Sequence, residues 1–430
     1  MGLPRSSSPD WHMLANLLYL VWPYQIFKSV FFRGGLSFLT TYLVIVLLMP
    51  PVIRYFRRVG ITSDFAVSEQ GSKPYIGAKP IMGGGLLVVA IMVSIVLWME
   101  FNQFIIALLA IMLAFGVIGV LDDLQKIRHR RRVERGDEAK KEYTDKADGI
   151  SGTLRLALEF LVASVVVVGL YRFLEIDGHV VVPFIPLKWW YPYLPREVFI
   201  PFMVLVIVAG ANAVNITDGM DSLATVPILT CTLFVTAVAY IGSEPELAER
   251  LKLPLLPEGI KEIVVLASAV LSACLAFLRF NAPPAMIIMG DLGALALGSM
   301  ISAMFIFAKV ELFLPLVGGI FVFTTLSTIV QRLYFKWRLK RKGREEAERR
   351  RFFYRAPYHH HLQALWTYSE HPPAITSVWV DLLKKIGIQP PSVQDQLVRS
   401  GDVDSRVVWR LHMMSIWLLV LALLVYFKVR

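Results

Sequence analysis

Residues Phe104 to Lys126 read FIIALLAIMLAFGVIGVLDDLQK, an unbroken apolar run to Leu121 that ends on Asp122-Asp123. A bilayer core takes about 20 apolar residues per helix, so the stretch reads as a membrane span with two carboxylates at its end. Carboxylates are expensive near hydrocarbon and are kept there for function.

The same pattern recurs along the chain. Further apolar runs lie near Phe38 to Phe56, Met82 to Met99, Leu154 to Phe173, Val198 to Val214, Leu223 to Ile241, Ile263 to Leu278, Ala285 to Ala308, Leu312 to Phe335 and Leu411 to Phe427. With 56% hydrophobic and 18% charged residues and a mean hydropathy of +0.58, the 430-residue chain is too apolar for an ordinary soluble domain. The expected fold is an all-α polytopic membrane protein of about ten transmembrane helices with a cytoplasmic-side active-site cleft. The segment Trp11 to Phe32 is interrupted by Pro23, Gln25 and Lys28 and is followed by no small-residue cleavage site; it reads as a retained interfacial helix. The expected organisation is an interfacial helix over 1–35 and a ten-helix domain over 36–430. Cys231 and Cys274 each fall inside a span and read as packing residues.

Basic residues set the orientation. Arg54, Arg57, Arg58, Lys73 and Lys79 follow the first span, Lys126 to Arg135 the third, and Lys336 to Arg351 the ninth, whereas the opposite links are short or acidic, as at Glu244 to Glu249. The positive-inside rule makes the basic links cytoplasmic, and the net charge of +11 follows from it, so no nucleic-acid partner is expected. This topology brings four polar clusters to one face. Asp122 and Asp123 point about 100° apart and cannot share one task, while Asp122 and Lys126 share a helix face, where Lys126 can meet a phosphate. Asn212, Asn215, Asp218 and Asp221 crowd a link without a basic residue; their amides can read hydrogen-bonding edges and their carboxylates accept from hydroxyls or an imide N–H. Asp291, between Gly290 and Gly293, follows the helix break at Pro283-Pro284 and suits a hard cation shared with phosphate oxygens, or caps a helix start. His359, His360 and His361 are consecutive and converge poorly on one zinc ion, which favours contact with phosphate or sugar.

Taken in order, Pro80-Ile81-Met82-Gly83-Gly84, Asp122-Asp123 with Lys126, the Asn212 to Asp221 segment, Met289 to Gly293 and Ala356 to His361 resemble the motifs of the phospho-N-acetylmuramoyl-pentapeptide transferase family, from about Phe38 to Arg430. The triple histidine resembles this branch rather than the N-acetylglucosamine branch of the polyprenyl-phosphate sugar-1-phosphate transferases. The resemblance implies transfer of phospho-MurNAc-pentapeptide from UDP-MurNAc-pentapeptide to undecaprenyl phosphate in the bacterial cytoplasmic membrane, with lipid I and UMP as products, and a dimer among membrane lipids. It further implies Mg²⁺ at Asp291, Asp123 as a second metal or phosphate-positioning group, and Asp122 as base for the lipid phosphate. Asn215, Asp218, Asp221 and Asn281 would line the nucleotide pocket, and His359 to His361 would engage the donor.

The chain departs from the family pattern at Ile76, Ile81, Ile288, Ala294, Thr324 and Gln363. Ile76 stands where the family has Lys, and Lys73 or Lys79 is the expected substitute; Ile288 removes an aromatic stacking face, worth about 1 to 3 kcal/mol by analogy with base stacking. Charged insertions near 127–147 and 366–406 are expected to add surface and leave the site intact. The rivals are a sister transferase using UDP-N-acetylglucosamine, an inactive cell-wall scaffold, and an ion-coupled transporter. Transporters place such groups at mid-membrane between internal repeats, which this chain lacks.

Overall fold

In the computed structural model, residues 24–62, 79–134, 149–174, 178–367, 375–388 and 400–428 are described. The expected runs appear as α1 (Val30–Val59), α2 (Gly84–Trp98), α3 (Gln103–Glu134), α4 (Gly152–Leu174), α5 (Arg196–Thr217), α6 (Thr225–Ser243), α7 (Ile263–Asn281), α8 (Gly290–Phe307) and, after shorter pieces, α12 (Ser400–Lys428). Eight described helices are long and apolar enough to cross a bilayer, α2 is shorter, and the remaining run is broken. The break separates Glu311–Val317 from α9 (Gly319–Lys342), bent by 80° across the Gly318-Gly319 pair, where the sequence predicts one continuous span. Helix α9 stops at Gly343, whose φ of +82° favours glycine. The protein is all-α in its spans; a two-residue parallel pair, β1 (Arg350–Arg351) with β2 (Thr376–Ser377), is the strand pairing among the described residues. Residues 1–23, which hold much of the expected interfacial helix, lie outside the described residues.

Helix α8 is the axis of the bundle. Every residue from Gly293 to Phe307 is buried, as expected for a helix that is apolar on all sides. It packs mainly on α3 and α5, while α1 packs on α7 and α7 on α6. Its contacts run through small residues: a Cβ on Gly84 would sit 2.3 Å from Gly293 Cα, one on Gly119 would sit 2.6 Å from the backbone of Asp291 and Leu292, and one on Gly298 would sit 2.9 Å from Ala211 Cα. Without a hydrophobic drive between helices in lipid, this backbone approach supplies the packing. At the end remote from the acids, buried Arg33 of α1 makes a bidentate pair with Glu262 at 2.6 and 2.8 Å and tethers α1 to the entry of α7.

Candidate active site

The first turn of α8 needs partners for its free N–H groups, and carboxylates from two other elements supply them. Gly290 N donates to Asp218 Oδ2 at 3.1 Å, Leu292 N to Asp123 Oδ2 at 3.2 Å and Asp291 N to Asp123 Oδ1 at 3.4 Å. Gly290 has a φ of +80°, and its missing Cβ leaves room for Met82 and Asp123. The Pro80–Gly84 loop is laced to the segment before α8 by Ile288 N to Pro80 O, Gly83 N to Ile288 O and Gly84 N to Met289 O. Asp291 is thereby presented from a fixed helix start.

Around Asp291 the charges interlock. Lys126 Nζ lies 2.9 Å from Asp291 Oδ2 and 2.7 Å from Asp122 Oδ2. Arg155 Nη1 lies 3.2 Å from Asp291 Oδ2 and 3.7 Å from Asp122 Oδ2. Asp122 Oδ1 accepts from Ile150 N at 2.8 Å, and Asp122 and Asp291 meet the same two cations. Burial pushes the Asp218 carboxyl well above the ordinary carboxylate range; the Gly290 N–H opposes this, and Asp291, Asp123 and Asp221 add to it. Among the described residues, Asp122 and Asp291 share two cationic side chains, Lys126 and Arg155, while Asp123 and Asp218 accept from backbone N–H groups of α8. Four carboxylates gathered beside two cations suit a divalent cation; Asp123 Oδ1, with its long bond, and Asp291 are oxygen donors of the right hardness. No group of three His, Cys, Asp or Glu among the described residues forms a ready cage, so such an ion would complete its shell with water and phosphate oxygens.

The Asn212–Asp221 segment divides between two tasks. Asn212 faces the acid cluster: its Oδ1 accepts from Arg155 Nη2 at 3.2 Å, and its Nδ2 donates to Glu159 Oε2 and to Val208 O. Asn215 is half-buried one turn on. Asp221 is held by Lys79 Nζ at 2.7 and 2.8 Å and by Ala285 N at 2.8 Å. Asn281 is buried, accepts from Ser222 N and Thr225 Oγ1 at 3.0 Å each and donates to Ile287 O at 3.0 Å. The sequence predicts Asn281 on the pocket lining; its observed bonds tie the end of α7 to the loops on either side.

The three histidines open α10 (Tyr358–Thr367) and differ in surroundings. His359 is buried with no hydrogen-bond partner on either ring nitrogen among the described residues; a Cβ on Gly219 would lie 2.8 Å from its Nε2, so the ring rests on the Asn212–Asp221 turn. His360 Nδ1 pairs with Gln363 Oε1 at 2.7 Å. His361 Nδ1 accepts from Tyr354 N at 3.1 Å within a cage of Phe353, Tyr354 and Tyr358 rings. Burial lowers the basicity of all three, His359 furthest below the usual imidazole range and His361 to about 4. A His361 that titrates near 6.5 when unfolded and near 4 when folded leaves stability intact above pH 6.5 and removes it as the pH falls toward 4. The loss expected over that window is about 3 kcal/mol for this ring. Melting temperatures between pH 7.5 and 5 should fall in the wild type and fall less in His361→Phe.

Part of the 366–406 stretch reaches this region. Trp379 of α11 (Val378–Lys385) packs on Phe352 and Phe353, and Ser377 Oγ donates to Phe352 O at 2.8 Å. It braces the base of the histidine loop, where the sequence suggests a surface addition. Residues 135–148, 368–374 and 389–399 of the two stretches expected to be insertions, with Lys73 and Ile76, lie outside the described residues. Sequence reasoning missed Arg155 and Glu159; the signal was an ionisable pair four apart at the start of an apolar span.

A family model described as Glycosyl transferase family 4 matches residues 104–309. Three curated relatives carry the name phospho-N-acetylmuramoyl-pentapeptide-transferase. The protein of Pelagibacter ubique is 33% identical over 79% of this chain and 87% of its own length. That of Koribacter versatilis is 33% identical over 85% and 93%, and that of Gemmatimonas aurantiaca 32% identical over 80% and 88%.

Proposed function

The chain belongs to the phospho-N-acetylmuramoyl-pentapeptide transferase family, and from that premise we propose that it moves phospho-MurNAc-pentapeptide from UDP-MurNAc-pentapeptide to undecaprenyl phosphate, giving lipid I and UMP. The observation that carries the site is the cluster of Asp122, Asp123, Asp218 and Asp291 around Lys126 and Arg155 at the start of α8.

In the proposed step an oxygen of the lipid phosphate attacks the sugar-linked phosphorus of the donor, a new P–O–P link forms, and the bond to the UMP oxygen breaks with UMP carrying off the electron pair. Such a reaction needs alignment and charge neutralisation more than covalent help. Asp122 is the proposed base that keeps the lipid phosphate ionised. Lys126 and Arg155 face the phosphates, and Asp291 and Asp123 are the proposed holders of Mg²⁺, which when bound would neutralise the pyrophosphate. His359, with both ring nitrogens unpartnered among the described residues, and His360 are the proposed donor contacts, while His361 and Asn281 hold the loops that present them. Asn212, Asn215, Asp218 and Asp221 border the proposed nucleotide pocket.

Lys79, on Asp221, is the proposed replacement for the family lysine lost at Ile76. A charge-assisted contact of this kind is worth about 1.5 to 3 kcal/mol. Lys79→Ala should therefore raise the donor KM about tenfold or more, measured by steady-state kinetics at saturating lipid phosphate. The site faces the cytoplasm in this proposal, supported by Arg54, Arg57, Arg58, Arg128, Arg131 and Arg132 at the same end of the bundle and by Glu244, Glu246 and Glu249 at the other. The donor decides the reading. Purified protein should form a lipid-linked product, detected by mass spectrometry, from UDP-MurNAc-pentapeptide and not from UDP-N-acetylglucosamine; the reverse would identify the sister transferase.

A further inference from the structure

Glu159 is fully buried, at 0% exposure, one turn after Arg155 on a helix whose Leu154, Leu156, Leu161 and Val165 are exposed on the outer face. A carboxylate at such a place is costly unless it acts on something, and the proposed chemistry gives it no substrate contact. Its two oxygens are engaged differently. Oε2 accepts from Asn212 Nδ2, and Oε1 lies 3.5 Å from Arg155 Nε with no hydrogen bond of its own among the described residues.

The consequence is an oriented relay. With Asn212 Nδ2 taken by Glu159 and by Val208 O, the amide must turn its Oδ1 outward, where it accepts from Arg155 Nη2 at 3.2 Å. The guanidinium is then held along two of its edges, Nε beside Glu159 and Nη2 on Asn212. The third nitrogen, Nη1, is left aimed at Asp291 and Asp122, at 3.2 and 3.7 Å. A planar donor fork gripped on two sides is preorganised for an oxyanion on the third.

We propose that Glu159 is a positioning residue for the transfer reaction: through Asn212 and Arg155 it fixes the guanidinium over the Asp122–Asp291 pair, where the charge of the migrating phosphoryl group develops. This rests on the transferase reading above. Glu159 touches neither substrate nor the acids. Without it Asn212 Nδ2 keeps Val208 O alone and the guanidinium loses its neighbour at Nε, so Arg155 can shift, and a misplacement of about 1 Å near the reacting atoms costs on the order of 100-fold.

The test compares Glu159→Leu with Glu159→Gln. Gln keeps an acceptor for Asn212 in nearly the same volume, whereas Leu keeps the volume alone. Leu should lower kcat about 100-fold with the donor KM within about threefold, and Gln should recover at least about tenfold of that loss. A structure of the Leu variant, which needs no turnover, should show Arg155 Nη1 withdrawn from Asp291 Oδ2. If Leu does not fold, Glu159→Asp, with its carboxylate drawn back by one methylene, takes its place in both arms. Wild-type protein inert toward the muramyl donor would sink the transferase reading, while the structural arm would still decide the positioning of Arg155. An unmoved Arg155, unchanged kcat, or Gln no better than Leu would overturn the role given to Glu159.

Discussion

Asp291→Asn is expected to reduce UMP release by on the order of a thousandfold while leaving the melting temperature nearly unchanged, the upper range for removing one preorganised charge-stabilising group. Asp291 Oδ2 is the point on which Lys126 and Arg155 converge, and both cations also lie against Asp122. Asn keeps the size of the side chain and the backbone N–H that Asp123 accepts, so the first turn of α8 should stay in place. What it loses is the negative charge. The two cations would then lean on Asp122 alone, and the proposed Mg²⁺ would lose its first ligand. Initial rates and thermal unfolding on the same preparation check both halves, and a variant retaining about a tenth of the wild-type rate, far above the loss expected for such a group, would move the reaction centre away from Asp291.

Gly119→Ala is expected to cost about 100-fold in rate and about 1 to 3 kcal/mol in stability, although its new methyl group touches no substrate. The Cβ would arrive 2.6 Å from Asp291 O and from the Cα and N of Leu292. These are backbone atoms, so no side chain can swing aside; α3 or the start of α8 must move and carry Asp291 with it. Gly116→Ala, one turn earlier on the same face, supplies the comparison. Its Cβ would meet Ala296 Cβ at 3.5 Å, an ordinary contact, and kcat and unfolding midpoint should remain close to wild type. Equal damage from the two substitutions would mean that the helix contact as a whole, rather than the seat of Asp291, sets the activity.

Eight spans were legible because each is an apolar run of bilayer length, and most begin or end within a few residues of where hydropathy puts them. Two places differ for local reasons. Residues 285–289, apolar enough to read as the start of a span, lie outside any helix because the segment that follows Pro283-Pro284 bonds to the Pro80–Gly84 loop. The ninth run breaks at Gly318-Gly319, a pair visible in the sequence whose 80° consequence depends on what packs around it. The acids stood out because ionisable residues at span ends are scarce. Arg155 and Glu159 did not, since an ion pair four residues apart looks like an ordinary helix start until α5 brings Asn212 between them. The different fates of His359, His360 and His361 were likewise hidden, because three identical neighbours acquire distinct roles only from Gly219, Gln363 and the aromatic cage.

The most direct measurement is UMP release by purified protein in detergent with UDP-MurNAc-pentapeptide and Mg²⁺, with and without undecaprenyl phosphate, beside Asp291→Asn. Release that requires the lipid phosphate and the muramyl donor and disappears in the variant is the predicted result. No release from the muramyl donor, or release that persists in Asp291→Asn, would contradict the assignment of the reaction to the acid cluster at the start of α8.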